Sequence, residues 1–241
     1  MATARIRLHL DHPLGAGQPL PLTADQAHYL FGVMRLAPGD ALLVFNGRQG
    51  EWRATVTAAG KRGGELTPEV QTAPQMDPPD LWLMFAPIKK ARTDFIVEKA
   101  AELGAARILP VQTDYTNAER IRQDRLQAHA LEAAEQCGGT YVPEVADLMP
   151  LARLLDGWDD ARRILWADES RLGPAQTLAG LPPGPWAVLI GPEGGFSPAE
   201  RARLGAAPYV TPVSLGPRIL RADTAACAAL TLWQTALGDW K

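Results

Sequence analysis

A short apolar run that ends in a glycine-rich turn and restarts at once as a capped helix leaves a chain few options. Here the run is Trp186-Ala187-Val188-Leu189-Ile190, the turn is Gly191-Pro192-Glu193-Gly194-Gly195-Phe196, and the restart is Ser197-Pro198-Ala199-Glu200. Five apolar residues between breakers read as a buried strand. Ser197 is placed as an N-cap, Pro198 suits the first helical position, and Glu200 closes a capping box. A second stretch repeats the plan. Tyr209 to Ser214 reads as a strand, Leu215-Gly216-Pro217-Arg218-Ile219-Leu220-Arg221 as a loop, and the residues after Arg221 as an Ala-rich helix. In open α/β sheets ligands sit beyond the carboxyl ends of the strands. Glycines there let backbone N–H and C=O groups approach a ligand closely. Taken alone, the first loop reads as a tight turn and nothing more. With the second loop and its two arginines, the pair is expected to form one pocket at adjacent strand ends.

The alternation extends upstream. Leu81 to Ala86, Arg107 to Val111 and Arg163 to Ala167 read as strands. Thr93 to Leu103, Glu119 to Gln136 and Pro150 to Leu155 read as helices, and a last helix runs from about Asp223 to Leu237. Strands separated by helices predict an α/β domain with a mostly parallel sheet covered on both faces. Residues 1–72 have another grammar. Short apolar runs at Ile6–Leu10, Ala41–Phe45, Glu51–Val56 and Glu65–Thr67 alternate with turn signals, the clearest being Asn46-Gly47. One helix is expected from Thr23 to about Val33, so the region reads as a small β-barrel. Residues 73–80 hold three prolines and read as a stiff connector, giving domains at 1–72 and 81–241 with a linker at 73–80.

Composition excludes more than it proposes. The formal net charge of −3 gives no general affinity for nucleic acid, so any such contact must be local. Cys137 and Cys227 form no CxxC, and the four histidines are scattered, so no metal site is expected. There is no signal-peptide pattern and no apolar stretch near the ~20 residues that span a bilayer. The chain reads as soluble and cytoplasmic, without a membrane partner. Local basic groups are Arg5, Arg7, His28, Arg35, Arg48 and Arg53 in the first domain, and Lys89-Lys90-Ala91-Arg92 after the first strand of the second. They read as phosphate contacts or, equally simply, as solvated surface charge.

Gly191-Pro192-Glu193-Gly194-Gly195-Phe196-Ser197, together with Leu215-Gly216 and Arg218-Ile219-Leu220-Arg221, resembles the signature of the ribosomal RNA small subunit methyltransferase E family. His28-Tyr29-Leu30-Phe31-Gly32-Val33-Met34-Arg35 is similar to its His-x4-Val-Leu-Arg element, with Met34 for Leu. The resemblance implies a SPOUT-class enzyme that methylates N3 of a uridine in 16S ribosomal RNA with S-adenosylmethionine, releasing S-adenosylhomocysteine. It implies a PUA-like barrel that holds RNA, which favours Arg5, Arg7, His28 and Arg35 there, and Lys89, Lys90 and Arg92 in the second domain, as RNA contacts. It further implies a C-terminal trefoil knot around the cofactor and a homodimer acting on 16S ribosomal RNA or the small subunit. The residues matched to the cofactor are Leu165, Leu189, Ile190, Gly191, Pro192, Glu193, Gly194, Gly195, Leu215, Gly216, Ile219, Leu220 and Thr224. Two departures stand out. The family's Glu-Gln-Ser-x-Arg is Glu135-Gln136-Cys137-Gly138-Gly139 here, and its Arg-x-Glu-Thr-Ala is Arg221-Ala222-Asp223-Thr224-Ala225.

Methyl transfer to N3 of uracil sets chemical demands. N3 carries a proton, and its loss spreads negative charge onto O2 and O4. An arginine beside the base stabilises that anion, as in an oxyanion hole. Arg218 and Arg221 are the candidates. Glu193 or Asp223 accepts the proton or holds an arginine, and Glu193 reads equally as a carboxylate tying its loop to backbone N–H groups. A nicotinamide-dependent oxidoreductase is a poor rival, because that fold places its glycines after the first strand, and Ala86-Pro87-Ile88-Lys89-Lys90 has none. Another SPOUT activity, such as tRNA ribose methylation, or a non-catalytic RNA-binding protein, stays open.

Overall fold

A computed structural model describes residues 6–117, 120–168, 170, 178 and 180–240. Arg5, a candidate RNA contact, and Glu119, the expected start of a helix, lie outside them. The chain divides into two units, Met1–Asp77 with Ala134–Tyr141, and Pro78–Ala133 with Val142–Lys241.

The first unit is built on a five-stranded sheet of β1 (Arg7–His9), β2 (Leu20–Pro21), β3 (Ala41–Phe45), β4 (Glu51–Gly60) and β5 (Gly63–Ala73), in the order β1-β3-β4-β5-β2. The β4–β5 pair runs well past the predicted apolar cores and carries three register shifts. Each shift bends a strand and increases its twist, so the sheet curls over one apolar cluster that includes Leu8, Leu10, Leu42, Val44 and Leu66. Thr23 caps α1 (Ala24–Ala27) in a reciprocal box with Gln26. The predicted helix does reach Val33, but His28–Val33 is wound as a π-helix. The wider turn buries Leu30 completely and leaves Val33 and Met34 in solvent. Gly32 permits it: a methyl group there would stand 3.0 Å from His28 Nδ1. Arg35 then takes a positive φ of 59° to leave the turn, an uncommon conformation for a residue with a Cβ.

The second unit alternates as expected. Its elements are β6 (Leu81–Phe85), α2 (Lys90–Glu102), β7 (Arg107–Gln112), α3 (Gln123–Cys137, whose last turn belongs to the first unit), β8 (Glu144–Val145), β9 (Met149–Pro150), α4 (Leu151–Asp156), β10 (Arg163–Ala167), β11 (Trp186–Ile190), α5 (Pro198–Ala206), β12 (Val210–Val213) and α6 (Ala222–Ala236). The strands pair in parallel in the order β12-β10-β11-β6-β7-β8, with β9 also beside β7. One face buries Leu83, Leu165, Val188, Ile190 and Val213 with residues of α2 and α6. The other buries Met84, Trp166, Ala187, Leu189 and Phe196 with residues of α4 and α5. Coverage on both faces is why β11 reads as an unbroken apolar run rather than an alternating one. One expectation changes. β11 and β12 are not neighbours, because β10 lies between them. The two loops still leave the same edge, since all three strands run parallel.

Candidate active site

The loop after β11 is fixed from several sides. Gly195 takes φ 70° and its N–H donates to Pro192 O at 2.9 Å, closing the turn. A methyl at Gly191 would stand 2.7 Å from Phe196 Cε2, so that glycine is the space the Phe196 ring needs. Phe196 is buried and meets Trp166 edge-on at 5.7 Å. Ser197 caps α5 in the predicted box with Glu200, and its hydroxyl donates to Asp114. The Glu200 carboxylate accepts from Ser197 N at 2.8 Å and from Asp114 N at 2.9 Å, tying the end of β7 to the start of α5.

The loop after β12 is looser. The Ser214 hydroxyl donates to Gly216 O at 3.3 Å and accepts from Gly216 N at 3.2 Å. Gly216 has φ 130°, and a methyl there would meet nothing within 4 Å. Leu215 and Leu220 pack on the cluster that holds Ile190, Val213 and Leu178, so the two loops share one apolar base. Arg218, Ile219 and Arg221 are exposed, Ile219 by 73%. Among the described residues neither of these arginines has an ion-pair partner.

One guanidinium joins the loops. Arg92, on the first turn of α2, lies 3.7 Å from Glu193 Oε1 and 3.6 Å from Asp223 Oδ2. The groups are partly exposed, so each pair contributes no more than about 1 kcal/mol, and the value of the arrangement is positional. It also answers which arginine the two acids hold: it is Arg92, rather than Arg218 or Arg221. Asp168, the first residue after β10, sits between the loops. Its N–H donates to Val213 O at 3.1 Å, and its carboxylate takes bonds from Ser170 and from Arg201 of α5. Burial pushes the Asp168 carboxyl up. The Ser170 hydroxyl and N–H and the Arg201 guanidinium outweigh that and hold it below the usual carboxylate range.

The remaining sequence candidates scatter. Leu165 and Ile190 face the same side as Leu215 and Leu220, while Leu189 faces the opposite side against Phe196 and Leu204. Thr224 is exposed, with its N–H on its neighbour Asp223. Lys89 and Lys90 are exposed at the start of α2, and His28 and Arg35 are exposed on the first unit. Arg7 is engaged within the first unit. Its side chain is only 10% exposed and bonds Glu51 at 2.7 Å, Ala134 O at 2.6 Å, Glu135 O at 3.0 Å and Gly139 O at 2.9 Å. A guanidinium so engaged ties the 134–139 segment to the sheet and leaves little for a phosphate. Asp114, Asp168 and Arg201 were missed. The signal was available for the two acids: each follows a strand end within two residues, on the ligand edge of the sheet.

The arrangement suits a flat, partly apolar ligand with polar ends. The open side of Gly216 admits a close approach, and Leu215 and Leu220 supply an apolar wall. Among the described residues no three His, Cys, Asp or Glu side chains gather as a metal site would need.

Comparison with known proteins bears on the same parts. A family model described as an RNA methyltransferase domain matches residues 75–234, and one described as an RNA methyltransferase PUA domain matches residues 22–69. The ribosomal RNA small subunit methyltransferase E of Synechocystis is 32% identical, over 87% of this chain and 70% of its own. The protein of the same name from Rickettsia conorii is 28% identical over 93% of each chain. The crystal structure of the Neisseria gonorrhoeae ribosomal RNA small subunit methyltransferase E, bound to S-adenosyl methionine, superposes with a TM-score of 0.88 at 27% identity, covering 98% of this chain and 99% of that one. A matching domain model over most of the length, a relative above 30% identity and the paired loops at one sheet edge agree: the chain belongs to the ribosomal RNA small subunit methyltransferase E family.

Proposed function

We propose that the chain methylates N3 of a uridine in the 16S RNA of the small ribosomal subunit, using S-adenosylmethionine. The observation that carries this reading is the convergence of two glycine-containing loops on one sheet edge, bridged by Arg92 and built over one apolar base. When bound, the cofactor supplies a methyl group already activated by its sulfonium charge.

The chain's own residues do the rest. Ile190 to Gly195, Leu215, Gly216, Leu220 and Leu165 line the cofactor side, and Thr224 and Ile219 stand at its rim. Leu189 supports the loop from behind through Phe196. Arg218 and Arg221, exposed and without ion-pair partners among the described residues, stabilise the charge that spreads onto O2 and O4 once N3 gives its proton to solvent water; the N3–methyl bond then forms as the sulfur–methyl bond of the donor breaks. A donor of this kind, once the bound base holds it in place, is worth about 10²–10³ in rate. Glu193 and Asp223 hold Arg92, so we assign them to positioning rather than to taking the proton. Holding donor and base in line lowers the barrier by roughly 7–11 kcal/mol more. On the first unit, His28 and Arg35 are the candidate RNA contacts, with Lys89 and Lys90 on the second. The trefoil knot and homodimer implied by the resemblance, and the cytoplasmic location read from the sequence, belong to the same proposal. The last two are open to sizing chromatography and cell fractionation.

The test is transfer of tritiated methyl to small subunits or their RNA from cells lacking this modification, followed by nucleoside digestion. The expected product is 3-methyluridine. A ribose-methylated nucleoside would move the chain to another activity of the same fold. Cofactor binding without transfer would make it a binding protein.

A further inference from the structure

Beyond the two loops, one side chain at the same edge has no role in the proposed methyl transfer. Tyr115 follows β7, and in the sheet β6 lies between β7 and β11. Tyr115 nonetheless reaches across the β6 end to the first glycine loop. A methyl at Gly194 would stand 3.3 Å from Tyr115 Cβ and 3.7 Å from Cδ2. The root of the ring is thus seated on Gly194, while 46% of the residue stays in solvent.

A single exposed aromatic is ordinary on a protein surface. This one differs in how firmly it is held. Thr113 N donates to Thr116 Oγ1 at 2.9 Å, the two hydroxyls meet at 2.8 Å, and Thr116 N donates to Thr113 O at 3.1 Å. Asp114, between them, is bound through its N–H to Glu200 and through its carboxylate to the Ser197 hydroxyl. Bonds within the turn, and two to the start of α5, therefore fix the turn whose tip is Tyr115. An exposed ring loses little entropy on binding when its backbone is already fixed, and it accepts any base because every base has a π-face. Single-stranded RNA is recognised chiefly by stacking unpaired bases on such side chains.

We propose that Tyr115 is a stacking platform for an unpaired base of the RNA substrate at the mouth of the glycine loop. Gly194 is kept without a side chain so that the ring can sit there. The inference rests on the RNA methyltransferase function proposed for the chain. Tyr115 is a residue that orients substrate and takes no part in proton or methyl transfer.

The experiment compares Tyr115→Ala, Tyr115→Leu, Tyr115→Phe and Tyr115→Trp in steady-state methylation of small subunits lacking the modification, with S-adenosylmethionine saturating. Cofactor affinity is measured alongside by calorimetry. The expected result is a rise in KM for RNA of about 5- to 150-fold in the Ala variant, the range for one lost base stack. Leu should lose nearly as much, Phe and Trp little, and cofactor affinity should stay at the wild-type value in all four. An unchanged KM in the Ala variant overturns the proposal. So does rescue by Leu, which would make the residue a mere spacer, and so does loss of cofactor affinity, which would make it a prop for the loop. A wild-type chain that transfers no methyl at all removes the underlying function and this role with it, whereas an active wild type with an indifferent Tyr115 removes only the stacking role.

Discussion

The loops after β11 and β12 leave one edge of one sheet, and each hands over to a helix, yet they are built to opposite standards. The first is clamped by a capping box, by the Ser197–Asp114 and Asp114–Glu200 bonds and by a ring that fills the space of Gly191. The second is held by Ser214 bonding around Gly216 and by Leu215 and Leu220 in the core, and it sends Arg218, Ile219 and Arg221 into solvent. Even the helix starts differ: Ser197 caps α5 with its side chain, and Arg221 caps α6 with none. A site that must grip one ligand and meet another needs both kinds of wall. The rigid loop offers a preformed surface at low entropic cost. The loose one keeps its charges available for a partner that arrives later.

The contrast breaks first if the arginines are dispensable. Arg221→Ala and Arg218→Ala should each lower kcat by about 10²–10³, that is ~2.7–4 kcal/mol of barrier, with cofactor affinity and melting temperature near the wild-type values. A pair of variants that lose stability instead would mean that these side chains serve the fold. The rigid loop should respond in stability as well. Gly191→Ala forces a methyl against the buried Phe196 ring, and overpacking of this sort costs about 1–3 kcal/mol. Thermal unfolding reads this as a drop of about 2–4 °C per kcal/mol for a chain of this size. A Gly191→Ala variant as stable as wild type would show that the loop is softer than its contacts imply.

Ser197→Ala comes next. It removes an N-cap and leaves Asp114 without its hydroxyl partner. The expected loss is ~1 kcal/mol, typical of a cap. Asp168 sharpens the comparison through pH. Its carboxyl is held below the usual range, chiefly by the Ser170 bonds and Arg201 working against burial. A depressed folded pKa means stability that is complete above about pH 4, the unfolded value, and lost as pH falls through the folded value. Wild type should therefore lose melting temperature on that acid limb. Asp168→Asn should flatten the limb, starting from a lower value at neutral pH. An unchanged limb would place the acid sensitivity elsewhere.

Much of this was legible in the chain. β3, β10 and β11 have the predicted bounds, because a run of four or five apolar residues between polar or turn-forming ones admits few other readings. The Ser197 box was legible for the same reason: it is local chemistry. What was not legible is whatever depends on the order of strands. Nothing in the spacing of Ile190 and Ser214 says that β10 lies between their strands, and nothing about Arg92 in sequence points to Glu193 and Asp223, each about a hundred residues away or more. The partners of Arg7 were hidden too, because a basic residue near an apolar run looks the same whether it faces water or donates to the carbonyls of Ala134, Glu135 and Gly139. The π-helix at His28–Val33 was also hidden, since its period becomes visible only when Leu30 is seen inside and Val33 outside.

The smallest expected effect tests the joint between the two loops. Arg92 stands 3.7 Å from Glu193 on the rigid side and 3.6 Å from Asp223 on the loose side, with a third of its side chain in solvent. Pairs of that exposure contribute about 0–1 kcal/mol, so Arg92→Gln should shift the melting temperature by only a few degrees at most. A double-mutant cycle with Glu193→Gln and another with Asp223→Asn separate its two partners. If Arg92 merely decorates the surface, both coupling energies should vanish in stability and in cofactor affinity alike. If it fixes the gap between the loops, both cycles should couple in cofactor affinity more strongly than in stability, because the bound ligand must span that gap while the fold does not depend on it. Coupling to one acid only would assign Arg92 to that loop and leave the other to find its own position.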